Sequence, residues 1–302
     1  MKTPADHFAE LPQPLGFVAH DAGSANLIAA WIADAKLPVV SAMVSGPATA
    51  IFARCVPHAT HMDLSDLINS CRTVISGTGW SSTLEHDARL LARQAGCLDV
   101  AVIDHWTDYR QRFTRHGDEV LPDILWVTDS KAKLLACECF PGLPVVTLPN
   151  TYLDTLVAEV RKHELPKADR TGNLLYLLEP IRNDWGPMSR PGEFLALDYF
   201  IDRVGVLGLD APIRLRLRPH PSDPPGKYDE WMHAQAHLQP ELDRSLSLES
   251  ALAWADSVAG CQTYAMVVAL AAGRRVVCTI PPGMPVCALP QTGIVRLAQL
   301  QV

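Results

Sequence analysis

The chain has 302 residues, 48% of them apolar, enough to fill the cores of two domains of ordinary size, which excludes a disordered or fibrous protein. Its formal net charge of −7 argues against a nucleic-acid surface, which needs a basic excess or a Lys/Arg stripe. No apolar run approaches the roughly 20 residues that span a bilayer, and the first 15 residues carry acids and prolines where a signal peptide needs an apolar stretch, so a cytoplasmic protein without a transmembrane segment is expected.

In chain order, short apolar runs are each followed by a Gly-rich or polar turn and then an amphipathic segment, the pattern of βαβ units and a mainly parallel sheet. Strands are predicted over 16–19, 39–44, 73–76, 100–103, 124–127 and 145–147, with helices over 25–35, 64–69, 82–95 and 130–139. The run Val100-Ala101-Val102-Ile103 shows no alternation, as a strand buried on both faces should. A helix over 152–163 leads into the basic, polar stretch 164–173, the best linker candidate. A second series follows: strand 174–178, helix 193–207, strand 213–217, helix 228–236, helix 248–255, strand 256–259, helix 263–272 and strand 275–279. The expected plan is an α/β chain of two Rossmann-like domains, 1–150 and 173–302, joined by a linker helix and loop over 151–172, with a ligand cleft between the domains.

The eight cysteines are scattered singly apart from Cys137 and Cys139, and read as small buried residues. The step Cys137-Glu138-Cys139 is one residue short of the spacing that zinc sites and redox dithiols use, so helix-end packing and no metal are expected there.

Ligands of open parallel sheets sit beyond the carboxyl ends of the strands, and the loops there hold the candidates. After the first strand, His20-Asp21-Ala22-Gly23-Ser24 opens a helix whose first N–H groups can meet an anion. His20 is a candidate general base and Asp21 its orienter. The plainer reading is that Asp21 or Ser24 caps the helix. Adjacent residues on an extended chain point apart, so a bond between these two side chains is not expected. Next, Ser76-Gly77-Thr78-Gly79-Trp80-Ser81 supplies two glycines for close backbone approach and hydroxyls as donors, with Glu85, His86 and Asp87 in the helix that follows. It lacks the third glycine of a dinucleotide fingerprint and the lysine of a phosphate loop. The third loop, Asp104-His105-Trp106, follows the most buried strand and places two ionisable groups at the sheet edge, with Arg110 and Arg112 able to pair an anion. A surface turn anchored by Trp106 is the alternative.

In the second half, the alternation in Arg214-Leu215-Arg216-Leu217-Arg218 puts the arginines on one strand face, leaving Arg218 and His220 at its end, with Ser222 beyond the two prolines. Both groups suit a phosphate. The turn Gly260-Cys261-Gln262-Thr263 opens a helix with free N–H groups, Thr263 serving as N-cap in the simplest reading. Pro281-Pro282-Gly283-Met284 reads as a rigid turn.

The segments RLRPHPSD and VAGCQTYAMVVALAAGRRVV resemble the Arg-x-His-Pro and Gly-x-Ser-Thr…Glu-Ala…Gly-x-Pro-Val segments of GT-B glycosyltransferases of the capsule and lipopolysaccharide type. The resemblance departs from the pattern at Val268, where the ribose-holding Glu usually stands, and at Arg275, where Pro does. It implies a metal-independent glycosyltransferase of polysaccharide biosynthesis, with no cofactor. A sugar would move from a nucleotide donor, held by Arg218, His220, Gln262 and Thr263, to a glycan or small-molecule acceptor facing His20, Asp21, Asp104 and His105. A sugar-nucleotide epimerase or hydrolase of the same architecture, and a non-catalytic sugar-nucleotide-binding module, are the alternatives.

Overall fold

The computed structural model describes residues 2–209 and 212–300, so the outermost ends of the two expected domains, Met1 and residues 301–302, lie outside the described residues. The chain divides into two compact units, Met1–Asp154 and Thr155–Val302.

Unit 1 runs α1 (Pro4–Ala9), β1 (Leu15–Ala19), α2 (Ala22–Ala35), β2 (Ser41–Val44), α3 (Pro47–Cys55), β3 (Thr60–His61), α4 (Leu64–Ser70), β4 (Thr73–Ser76), α5 (Leu84–Ala95) and β5 (Leu98–Val102). It continues with the small antiparallel pair β6 (Thr114–Arg115) and β7 (Asp118–Glu119), then β8 (Ile124–Val127), α6 (Ser130–Cys139), β9 (Val145–Thr147) and α7 (Thr151–Lys162), the helix on which the chain passes from one unit to the next. Seven strands form one parallel sheet in the order β3-β2-β1-β4-β5-β8-β9. One face is filled by Phe8, Phe17, Trp31 and Trp126 with the apolar side of α2, and Trp31 Nε1 finds the Pro149 carbonyl at 2.8 Å. That bond lets a large aromatic be buried without an orphaned donor. The other face packs on α4 and α5 through Leu67, Ile68, Ala88 and Ala92.

Unit 2 runs α8 (Lys167–Arg170), β10 (Asn173–Leu177), α9 (Gly192–Arg203), β11 (Arg214–Arg218), α10 (Asp229–Ala234), β12 (Glu241–Leu242), α11 (Leu248–Trp254), β13 (Ser257–Gly260), α12 (Tyr264–Ala271), β14 (Arg275–Cys278) and β15 (Ile294–Arg296). Its parallel sheet has the order β12-β11-β10-β13-β14-β15. Each unit therefore reverses strand order once, between β1 and β4 in the first and between β10 and β13 in the second. A reversal splays the following loops apart and opens a crevice at the strands' carboxyl ends. The two halves are Rossmann-like, as expected.

Several elements differ from expectation. The strand predicted over 39–44 begins at Ser41, because Val39, beside Pro38, stands exposed at 77%. The helix predicted to reach residue 207 ends at Arg203 and tightens into a 3₁₀ turn over Val204–Leu207. Helix α3 was unforeseen, as were the strands β3, β12 and β15, which at two or three residues are too short to signal themselves. Nor are the cysteines uniformly buried: Cys55 and Cys137 are exposed, since both sit at the ends of helices whose inner faces are taken by Ile51 and Phe52, and by Ala132 and Ala136. No helix among the described residues is long and apolar enough to cross a membrane.

Candidate functional site

The strand reversal in unit 1 gathers four loops. Asp21 stands at the corner between β1 and α2, with φ −79° and ψ 149°, and its carboxylate makes no bond to the helix N–H groups. Instead Asp21 Oδ1 meets His20 Nδ1 at 2.7 Å and accepts from Ser81 Oγ. The expectation that neighbouring side chains diverge fails because β1 ends at Ala19 and Asp21 is already the N-cap residue of α2, outside the strand's alternation. A carboxylate only accepts, so Nδ1 carries the proton and Nε2 keeps its lone pair. Burial raises the Asp21 carboxyl, but the hydrogen bonds from Ser81 and His20 outweigh it and hold the group below the usual carboxylate range.

His20 Nε2 faces Gly46, in the loop after β2. Gly46 has φ +54°, and a Cβ there would lie 2.5 Å from Nε2, so only glycine leaves the imidazole its place. The same close approach recurs: a Cβ would fall 1.6 Å from Asp104 Oδ2 at Gly23, 2.2 Å from Glu85 Oε1 at Gly77 and 2.0 Å from Asp21 Oδ2 at Gly79. These glycines make room for the protein's own carboxylates.

Glu85, in the first turn of α5 and 1% exposed, joins two of the loops. Its Oε1 accepts the His20 N–H at 3.0 Å and faces Ser24 Oγ at 3.4 Å, while Oε2 accepts the Gly79 N–H at 2.5 Å. Burial pushes its carboxyl up, partly opposed by these N–H donors. Sequence reasoning noted Glu85 only as a neighbour of the glycine loop and passed over Gly46.

Asp104 leaves β5 with Oδ1 at 2.7 Å from Arg112 Nη1, which also reaches Thr78 Oγ1 at 3.2 Å, and Arg112 Nε donates to the Thr107 carbonyl at 3.0 Å. The Arg112 guanidinium lies 5.1 Å from the Trp80 ring, which is half exposed and offers an aromatic face to solvent. His105 is tied within its own loop, Nδ1 to Thr107 Oγ1 at 3.1 Å, and burial lowers its pKa, so it is neutral at pH 7. Trp106 anchors that loop through Nε1 to Asp129 Oδ2 at 2.9 Å. Of the unit 1 candidates, His20, Asp21, Gly79, Trp80, Ser81 and Asp104 thus share one partly exposed cluster. Ser24, Gly77 and Thr78 are buried beneath it and frame it without reaching its surface.

In unit 2 the expected anion contacts are satisfied from within. Glu179, just past β10, points its Oε1 at the N–H groups of Cys261, Gln262 and Thr263, at 2.9, 2.7 and 3.0 Å. Burial raises the Glu179 carboxyl and the three donors oppose it. The N–H groups expected to receive a phosphate are therefore filled by a carboxylate of the same chain, and Thr263 caps α12 as in its simplest reading. Gly260 is buried, where a Cβ would press on the Leu177 carbonyl at 3.1 Å. Arg218 is likewise engaged within the unit: it is paired with Asp243, whose side chain is fully buried. His220 is exposed, with Nδ1 on Ser222 Oγ at 2.8 Å and Nε2 turned away from that bond. Its loop is braced by Asp223, which holds the His220 N–H at 3.1 Å, Lys227 at 2.6 Å and the Tyr228 hydroxyl at 2.9 Å. Among the described residues no three His, Cys, Asp or Glu side chains converge as a metal-binding group.

No protein-family model matches the chain, and no curated protein matches it in sequence. Solved structures do resemble it in fold, two of them as follows. One is a Listeria monocytogenes protein assigned as a UDP-N-acetylglucosamine 2-epimerase, 14% identical, with 88% of this chain and 79% of that one covered and a TM-score of 0.60. The other is a UDP-N-acetylglucosamine 2-epimerase, 12% identical, with 89% and 78% covered and a TM-score of 0.59. At these identities the likeness concerns architecture: the chain is a mixed α/β protein of two Rossmann-like domains, GT-B-like in fold.

Proposed function

We propose that this chain is an enzyme that performs acid–base chemistry on the sugar ring of a sugar nucleotide, of the epimerase or hydrolase kind, with His20 as the proton-transfer group. The observation that carries the reading is the His20–Asp21 pair. An imidazole whose Nδ1–H is held by a carboxylate presents a basic Nε2, and the carboxylate stabilises the imidazolium that forms once a proton is taken. Asp104 adds a second carboxylate at the same strand ends, paired with Arg112. The exposed Trp80 ring suits the apolar face of a sugar. The solved structures of like fold bear epimerase names, which favours ring chemistry over transfer to an acceptor. In unit 2, with the N–H groups of α12 occupied by Glu179, His220 is the remaining candidate for an anion contact.

The test combines binding with turnover. A panel of sugar nucleotides, UDP-N-acetylglucosamine first, should raise the melting temperature of both wild type and His20→Gln by mass action. Product analysis by NMR should show an epimer or a released nucleotide with wild type, and a rate lower by about 10²–10⁴-fold with His20→Gln. A panel with no binder, or a His20→Gln variant as fast as wild type, rejects the reading. Turnover that occurs only when a sugar acceptor is added transfers it to the glycosyltransferase class.

A further inference from the structure

Three of the four buried cysteines meet at the carboxyl ends of β13 and β14 in unit 2, and their thiols have no role in the function proposed above. Cys278 is the last residue of β14 and is 2% exposed, while Cys287 lies in the loop between β14 and β15 and is 8% exposed. Both thiols donate to one acceptor, the Cys261 carbonyl, Cys278 Sγ at 3.1 Å and Cys287 Sγ at 3.5 Å. Two sulfurs that share one carbonyl oxygen are neighbours in space although nine positions apart in the chain. The segment that carries Cys287 also touches the start of α12, where the Ala288 N–H donates to Gln262 Oε1 at 3.2 Å.

We infer that Cys278 and Cys287 form a reversible redox pair that a small peroxide converts to a disulfide. Beside the Cys278 thiol the Cys287 pKa is lowered against the opposing effect of burial, which favours its thiolate, while Cys287 and burial raise Cys278, which assigns the attacking role to Cys287. The thiolate attacks one oxygen of hydrogen peroxide, the O–O bond breaks, and with one proton a water leaves behind a sulfenic acid on Cys287. Cys278 then gives up its proton and attacks the Cys287 sulfur, the S–OH bond breaks, and the second water departs. Two thiols lose two electrons and one peroxide gains them. Their near-complete burial selects so small an oxidant. A second pair, Cys71 and Cys97, shares the Ile68 carbonyl at 3.8 and 3.6 Å, but there burial pushes Cys71 up to about 12 and leaves it a poor nucleophile.

The experiment treats the folded chain with hydrogen peroxide, alkylates the remaining thiols, and maps unreduced peptides by mass spectrometry. The expected product is a Cys278–Cys287 cross-linked peptide that dithiothreitol reverses. In Cys278→Ser the expected product is a sulfenic acid on Cys287 that dimedone captures. Amide exchange at Ala288 should slow by about tenfold or more on oxidation, because the loop loses freedom to open. Oxidation confined to the exposed Cys55 and Cys137, a bridge between Cys71 and Cys97 in place of this one, or a Cys287 in Cys278→Ser that resists dimedone overturns the inference.

Discussion

The two strand reversals are built alike and end up chemically opposite. In unit 1 the buried Glu85 ties the loops after β1 and β4 from below and leaves His20, Asp21 and Asp104 at the surface with lone pairs to spare. In unit 2 the buried Glu179 reaches across from β10 and occupies the N–H groups that open α12, and Asp243 neutralises Arg218. The difference shows that the same strand order specifies where a crevice lies without specifying whether its polar groups are free for a ligand. That depends on whether a carboxylate of the chain itself is within reach.

The comparison breaks most visibly at Arg218. If Asp243 is its true partner, Arg218→Ala strands a buried carboxylate and should lower the unfolding free energy by about 3–5 kcal/mol, read by urea denaturation. A ligand-binding arginine at the surface would leave stability nearly unchanged and lower affinity instead. A second test sets unit 1's site against its foot, where Asp99 is buried with Oδ1 lacking a hydrogen-bond partner. Burial pushes its carboxyl up to about 7, only partly opposed by Arg89. A raised acid binds its proton more tightly in the folded chain than in the unfolded one. Its contribution is therefore fully favourable below the ordinary carboxylate pKa and declines as pH rises from about 4 to about 7, by on the order of 4 kcal/mol. Asp99→Asn should flatten that part of the pH–stability profile. An unaltered slope in the variant removes Asp99 as its source. The smallest effect is expected at His220. Although its surface is largely open, partial desolvation of the ring lowers its pKa, with Arg182 and Lys227 adding to the effect against Asp223, which favours the uncharged donor at neutral pH. His220→Ala should leave stability within about 0.5 kcal/mol and weaken nucleotide binding by about 1 kcal/mol, roughly fivefold. A hundredfold loss would make unit 2 the dominant anion site and reverse the contrast.

Much of the fold was legible because its signals are local. Strands β4, β8 and β9 and helix α6 coincide with their predicted ranges, each an apolar or amphipathic run bounded by turn residues. Two-residue strands such as β12 offer no such run and are held by the neighbouring strand's hydrogen bonds. The loops that carry His20, Gly77 to Ser81, Asp104 and Gln262 were found from their position after strands. Their partners were not. Glu85 lies 65 residues from His20, Glu179 lies 82 from Cys261, and Asp243 lies 25 from Arg218, distances over which no periodicity or spacing carries information.

By itself the sequence determined the βαβ alternation, the turns that close it and the loops where polar groups collect, because helix and strand periods and turn chemistry act within a few residues. Only the tertiary structure decided which polar groups remain available. Strand order brings remote segments side by side, and a buried carboxylate, costly to leave unpaired, takes whichever N–H or guanidinium that order sets beside it. In unit 1 those partners lie beneath the surface and the His20–Asp21 pair is left open; in unit 2 they include the groups at the surface itself.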